Sequence, residues 1–127
     1  MQKSFEVTSK MTVFLTVENI DDIMVSALEG GITYWCDRAK VDEEKRCGAW
    51  GHEQIARGGT LLLREIDSSK EWELTRENFL LGFKKWLESG GDKYGAICDG
   101  RVDCAKIDGP AADCMIQYAL FGELVFG

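Results

Sequence analysis

One stretch of this chain gathers residue types able to hold an anion: His52-Glu53-Gln54-Ile55-Ala56-Arg57-Gly58-Gly59-Thr60. It reads as one or two helical turns, a Gly-Gly break, and then an apolar strand from Leu61. Arg57 offers a planar fork of donors. Gly58 and Gly59 permit a bend with exposed amides. Thr60 adds a hydroxyl. Together they suit one phosphate or carboxylate. The plain alternative is a helix-to-strand turn with Arg57 in solvent. Neither G-x-G-x-x-G nor a Walker loop occurs, so the stretch is not a known phosphate motif.

His52 is the single histidine. As a general base it would draw on Glu53, but adjacent helical residues point apart. As a metal ligand it has only Cys47 and Glu53 nearby in sequence, without zinc-type spacing. We therefore assign no catalytic residue, metal or cofactor, and group His52 with the binding residues. Two aromatics join them. Tyr34 and Trp35 alternate across an expected strand, so one enters the core and the other is free to stack on a base or a partner. Trp50 sits in a glycine-flanked loop. The candidate ligand-binding set is Arg57, Gly58, Gly59, Thr60, His52, Tyr34 and Trp50. The acids Asp99, Asp103, Asp108 and Asp113 lack the pattern of a calcium loop. Asp99 reads as a turn residue, and Asp113 as a solvated acid in a helix's first turn.

Composition narrows the class. A net charge of −7 weighs against general nucleic-acid binding, which depends on Lys and Arg, so double-stranded nucleic acid is not an expected partner. One small anion in a local basic pocket remains compatible. No run approaches the ~18 apolar residues of a membrane span. Residues 12–17 are too short for a signal core and precede acids. Five cysteines, Cys36, Cys47, Cys98, Cys104 and Cys114, make an odd count without Cys-x-x-Cys. The expectation is a cytoplasmic protein with reduced thiols.

The elements that must position these residues follow from pattern. Residues 1–10 are a tail or an extra strand, and residues 11–127 form one domain. The β-branched run 12–17 predicts a first strand. Asn19 is a good N-cap for a helix whose apolar face is Ile20, Ile23, Met24, Ala27 and Leu28, ended by Gly30-Gly31. A second strand is expected from residue 32 as far as 41. A charged turn follows at 42–46. Residues 60–66 and 71–74 form a hairpin. Thr75 caps a helix over 76–89 with the stripe Phe79, Leu80, Phe83, Trp86 and Leu87. A loose hairpin surrounds Asp99-Gly100. Pro110 opens a helix to residue 120 that buries Ala112, Met115, Ile116 and Ala119. A short strand is expected at 124–126. The sum is a compact α+β domain: an antiparallel or mixed sheet with two to three amphipathic helices against it.

Four segments also carry a resemblance: Ala27-Leu28-Glu29-Gly30-Gly31-Ile32-Thr33-Tyr34-Trp35-Cys36, Gln54 through Leu61, Leu74-Thr75 through Gly82, and Ala112-Asp113-Cys114 to Gly127. From Met11 onward the chain resembles small proteins of phages and prophages of Gram-positive bacteria. It is similar, within that set, to anti-Thoeris proteins that sequester a cyclic ADP-ribose-type signal. The resemblance implies a non-enzymatic sponge in the bacterial host cell. It would be a homo-oligomer that binds a small anionic nucleotide, or a cyclic oligonucleotide, at protomer interfaces. Two other classes stay open. The acidic charge suits a protein–protein inhibitor of a host nuclease, anti-CRISPR-like in character. A small nucleotide-processing enzyme would need His52 and a carboxylate in one pocket.

Overall fold

The computed structural model describes residues 3–127. The strand expected at residues 12–17 does not form. Thr16 Oγ1 accepts the Asn19 amide at 3.0 Å, and Asn19 Oδ1 accepts the Thr16 amide at 3.0 Å. This capping box satisfies two donors reciprocally and starts α1 at Val17 (Val17–Ser26), so Thr16 rather than Asn19 is the N-cap. Upstream, Phe14 makes a single parallel bridge to Arg101. The helix then widens into a π-turn, Ala27–Gly31, before the chain leaves it.

Residues 32–35 also depart from expectation. The amides of Trp35 and Cys36 both donate to the Ile32 carbonyl, at 3.1 and 2.8 Å, which closes a turn where a strand was expected. Strand β1 begins only at Cys36 (Cys36–Val41) and pairs antiparallel with β2 (Leu61–Glu65). β2 forms the expected hairpin with β3 (Glu71–Leu74), placing Leu61 opposite Leu74 and Leu63 opposite Trp72. The order is β1-β2-β3, with two open edges. Leu61, Leu63 and Leu74 are fully buried, the inward half of a period-two pattern.

Helix α2 (Arg76–Glu88) starts at Thr75 through a second capping box, with Asn78. Helix α3 (Gly109–Phe121) starts at Asp108, whose carboxylate accepts the Ala111 amide at 2.9 Å. Between them a two-residue hairpin, β4 (Ile97–Cys98) and β5 (Arg101–Val102), turns over Asp99-Gly100. The segment 124–126 is not a strand. The amides of Val125 and Phe126 both donate to the Gln117 side chain, at 2.8 Å each.

The core lies between these helices and one face of the sheet. Ile20, Ile23 and Met24 come from α1, Phe79, Phe83 and Trp86 from α2, and Ala112, Met115 and Ile116 from α3. Leu80, expected in the α2 stripe, is instead 42% exposed. The reason is Gly82: α2 turns this glycine toward α3, which rotates Leu80 and Leu81 outward. A Cβ at Gly82 would lie 2.4 Å from the Met115 carbonyl oxygen and 2.8 Å from the Ala119 Cβ.

That approach is testable. Gly82→Ala forces the helices apart and is expected to destabilise the protein by about 1–3 kcal/mol, as overpacked cores do. Urea denaturation should show a lower midpoint with an unchanged slope.

Candidate functional site

Of the donors that the sequence offered to an anion, Arg57 and the two glycine amides are engaged within the chain. Arg57 holds Asp21 of α1 with two hydrogen bonds, at 2.9 and 3.1 Å, and donates to the Glu53 carbonyl at 2.9 Å. The bonds to Asp21, and then the charges of Asp21 and Glu53, raise its pKa. The Gly58 amide donates to Ile55 O at 3.3 Å and the Gly59 amide to Gln54 O at 2.8 Å. Gly58 takes the left-handed φ of +93° that the break required. Thr60 is buried. The pin of the whole loop is Gln54, which is fully buried. Its Oε1 accepts the Cys47 amide at 2.8 Å, and its Nε2 donates to the Trp50 carbonyl at 2.9 Å. His52 lies half-buried on a 3-10 turn (Gly51–Glu53). Glu53 turns away from it to accept the Ala49 and Trp50 amides at 3.1 and 2.9 Å. Trp50 is exposed.

Asp113 is not a solvated helix acid. It is 6% exposed and accepts three side-chain donors: Tyr34 Oη at 2.6 Å, Trp35 Nε1 at 2.7 Å and Gln117 Nε2 at 3.0 Å. Asp113 and Gln117 stand four residues apart on α3, so they share a face. Tyr34 and Trp35 are therefore divided as alternation required, one half in solvent and one buried, although no strand carries them. Burial of the hydroxyl end, followed by the hydrogen bond to Asp113 and its negative charge, pushes the Tyr34 pKa up to about 12. Tyr34 lines a shallow depression with Gly30, Gly31 and Pro110.

A more enclosed cleft opens on the other side of Pro110. It has a volume of about 380 Å³, and its walls include Trp86, Tyr94, Tyr118, Lys93, Lys106 and Cys114. Each wall has a local cause. Asp92 accepts the amides of Ala96 and Ile97, at 2.8 and 3.2 Å, and so orders the loop that presents Lys93 and Tyr94. Asp103 caps a 3-10 turn (Cys104–Lys106) through the Ala105 amide at 3.1 Å, which sets Lys106. Asp108 lines the rim while capping α3. Burial, and then the charge of Asp113, raise the Cys114 thiol above its ordinary pKa. Among the described residues neither Lys93 nor Lys106 is in an ion pair.

Of the seven residues proposed from sequence, Tyr34 lines the shallow depression, and the other six line neither concavity. His52, Trp50, Arg57, Gly58, Gly59 and Thr60 share one ordered loop. The sequence reading missed Lys93, Lys106, Tyr94 and Tyr118, which come from separate elements with no common motif. It also missed Asp113 and Gln117, whose signal was legible: two polar residues at i, i+4 inside the apolar face of Ala112, Met115 and Ile116. No group of His, Cys, Asp and Glu among the described residues is arranged to hold a metal ion. Among the described residues no helix is long and apolar enough to cross a membrane. The chain matches no protein-family model, no curated protein and no solved structure.

The Tyr34–Asp113 bond has a pH signature. The folded pKa, about 12, lies above the ordinary 10.0, so the unfolded chain releases this proton first. The contribution of Tyr34 is complete below pH 10 and is lost as pH rises through 12. Denaturation midpoints across that range should fall more steeply for the wild type than for Tyr34→Phe. Equal slopes would mean that the Tyr34 hydroxyl does not sense the fold.

Proposed function

We propose that this protein binds and withholds a small anionic ligand bearing an aromatic base, a nucleotide-class signal, without cleaving it. The observation that carries this reading is the cleft between α2, the loop around Lys93 and the start of α3. In a chain of net charge −7 it brings two lysines, neither ion-paired among the described residues, to the same walls as three aromatic side chains. Lysine supplies a point charge for a phosphate. Tyr94 and Tyr118 supply flat apolar faces for a base, with a contribution of about 1–3 kcal/mol per stacked base in comparable sites. A volume of about 380 Å³ falls within the range of small-molecule sites. The other titratable groups at the cleft support holding over cleavage. Asp108 is engaged at a helix N-terminus, and burial raises the Cys114 thiol above its ordinary pKa.

The resemblance to phage signal-sequestering proteins favours the same class of ligand and suggests its setting, counter-defence in a bacterial cell. The binding groups in this reading are Lys93, Lys106, Tyr94 and Tyr118. The Arg57 loop becomes a structural element beside α1.

Isothermal titration with cyclic ADP-ribose isomers and cyclic oligonucleotides tests it. At least one ligand should bind with 1:1 stoichiometry per cleft. Lys93→Ala with Lys106→Ala should weaken binding by on the order of tenfold or more. Arg57→Ala should leave it within about twofold. Binding lost in Arg57→Ala but kept in the double lysine variant would return the site to the Arg57 loop. A folded protein that binds none of the ligands would refute the reading.

A further inference from the structure

Residues 3–12 form no helix or strand, and among the described residues they make no backbone–backbone hydrogen bond. Yet they continue a strand pattern. Phe5, Val7, Met11, Val13 and Leu15 fall on one face of an extended chain, interrupted only by Ser9. Glu6, Thr8, Lys10 and Thr12 fall on the other. The inner end of the apolar face is docked: Val13 and Leu15 pack against the core, and the Phe14 amide donates to Gly100 O at 2.7 Å. The outer end is bare. Phe5 is 87% exposed, Val7 88% and Met11 75%. The segment has the pattern of an amphipathic strand but pairs with nothing among the described residues, and its outer half lacks a cover.

We propose that this arm pairs antiparallel with the same arm of a second copy, about a two-fold axis at Thr8. The charges select that register. With Thr8 opposite Thr8, Glu6 of each copy lies opposite Lys10 of the other, and Phe5 lies opposite Met11. Moving the centre by one residue either way sets Glu6 and Lys10 opposite Thr or Ser instead. An odd offset would turn one apolar face outward. The two-fold is closed, so pairing stops at a dimer. Each arm supplies the N–H and C=O partners that the other lacks. The paired ribbon carries one apolar face, and that face is continuous with the packed Val13 and Leu15. The inference is independent of the cleft and of any ligand.

Sedimentation equilibrium of the full chain, from roughly 1 µM to 1 mM, reads the association directly. The wild type should show a reversible dimer that weakens with added salt. Glu6→Lys and Lys10→Glu each create two like-charge cross-strand pairs and should each raise Kd by on the order of tenfold. The double variant E6K/K10E re-forms both pairs with reversed sign and should return Kd to within about threefold of wild type. Both positions are exposed arm residues, so folding is unaffected. A wild type that stays monomeric across the range overturns the proposal. So does a double variant as weak as the single ones, or single variants as tight as wild type.

Discussion

The arrangement of this domain depends on a buried carboxylate, Asp113, that makes no ion pair among the described residues. Removing a charge from water costs several kcal/mol unless hydrogen bonds replace the lost hydration. Asp113 meets that requirement with a phenol, an indole and an amide, each within 3.0 Å. Bonds to an ionised acceptor are the stronger kind. They draw the Ile32–Cys36 turn onto α3. They also fix the amide of Gln117, whose oxygen then gathers two backbone amides of the C-terminal segment. Phe126 is thereby stacked on Trp35, with ring centroids 5.0 Å apart and planes 5° off parallel. Phe121 meets both Trp35 and Trp72 edge-on, and the latter joins the cluster to the sheet. One carboxylate thus couples a turn, a helix, the C-terminal segment and a strand.

That coupling also sets the surface around α3. Its N-terminal end rises between two concavities that share Pro110. On one side the Tyr34 hydroxyl is committed to Asp113, so the depression there presents the tyrosine ring with its hydrogen-bonding end occupied. On the other side, loops fixed by Asp92 and Asp103 hold two lysines over aromatic walls. Acids that stabilise turns by accepting backbone amides leave the neighbouring lysines available. An acidic chain can in this way carry a locally basic cleft.

Much of the fold was legible in the sequence. The hairpin of β2 and β3 and helices α2 and α3 followed from alternation, a capping Thr75 and the Pro110 start. The α+β class followed from their order. The failures share a cause: local side-chain bonds overrode propensity. Thr16 and Asn19 turned a β-branched run into a helix start. Gln117 captured residues 125 and 126 before they could extend as a strand. The site was less legible. Arg57-Gly58-Gly59-Thr60 looked anion-competent because nothing in the sequence places Asp21 against Arg57, 36 residues away. Lys93 and Lys106 were not singled out because only the tertiary fold brings them to one cleft. Residues 1–10 read only as a tail or an extra strand because the alternation becomes visible only when Val13 and Leu15 are known to face inward.

The central claim is that the cleft holds a small nucleotide-class molecule and leaves it intact. Mass spectrometry of whatever is released on denaturing protein purified from bacteria producing the signal tests it most directly. An unmodified phosphate-bearing molecule with an aromatic base is expected, at about one per chain, and is expected to be absent from the Lys93→Ala, Lys106→Ala double variant. Release of a cleaved product, or of the same molecule at equal amounts from the double variant, would contradict it.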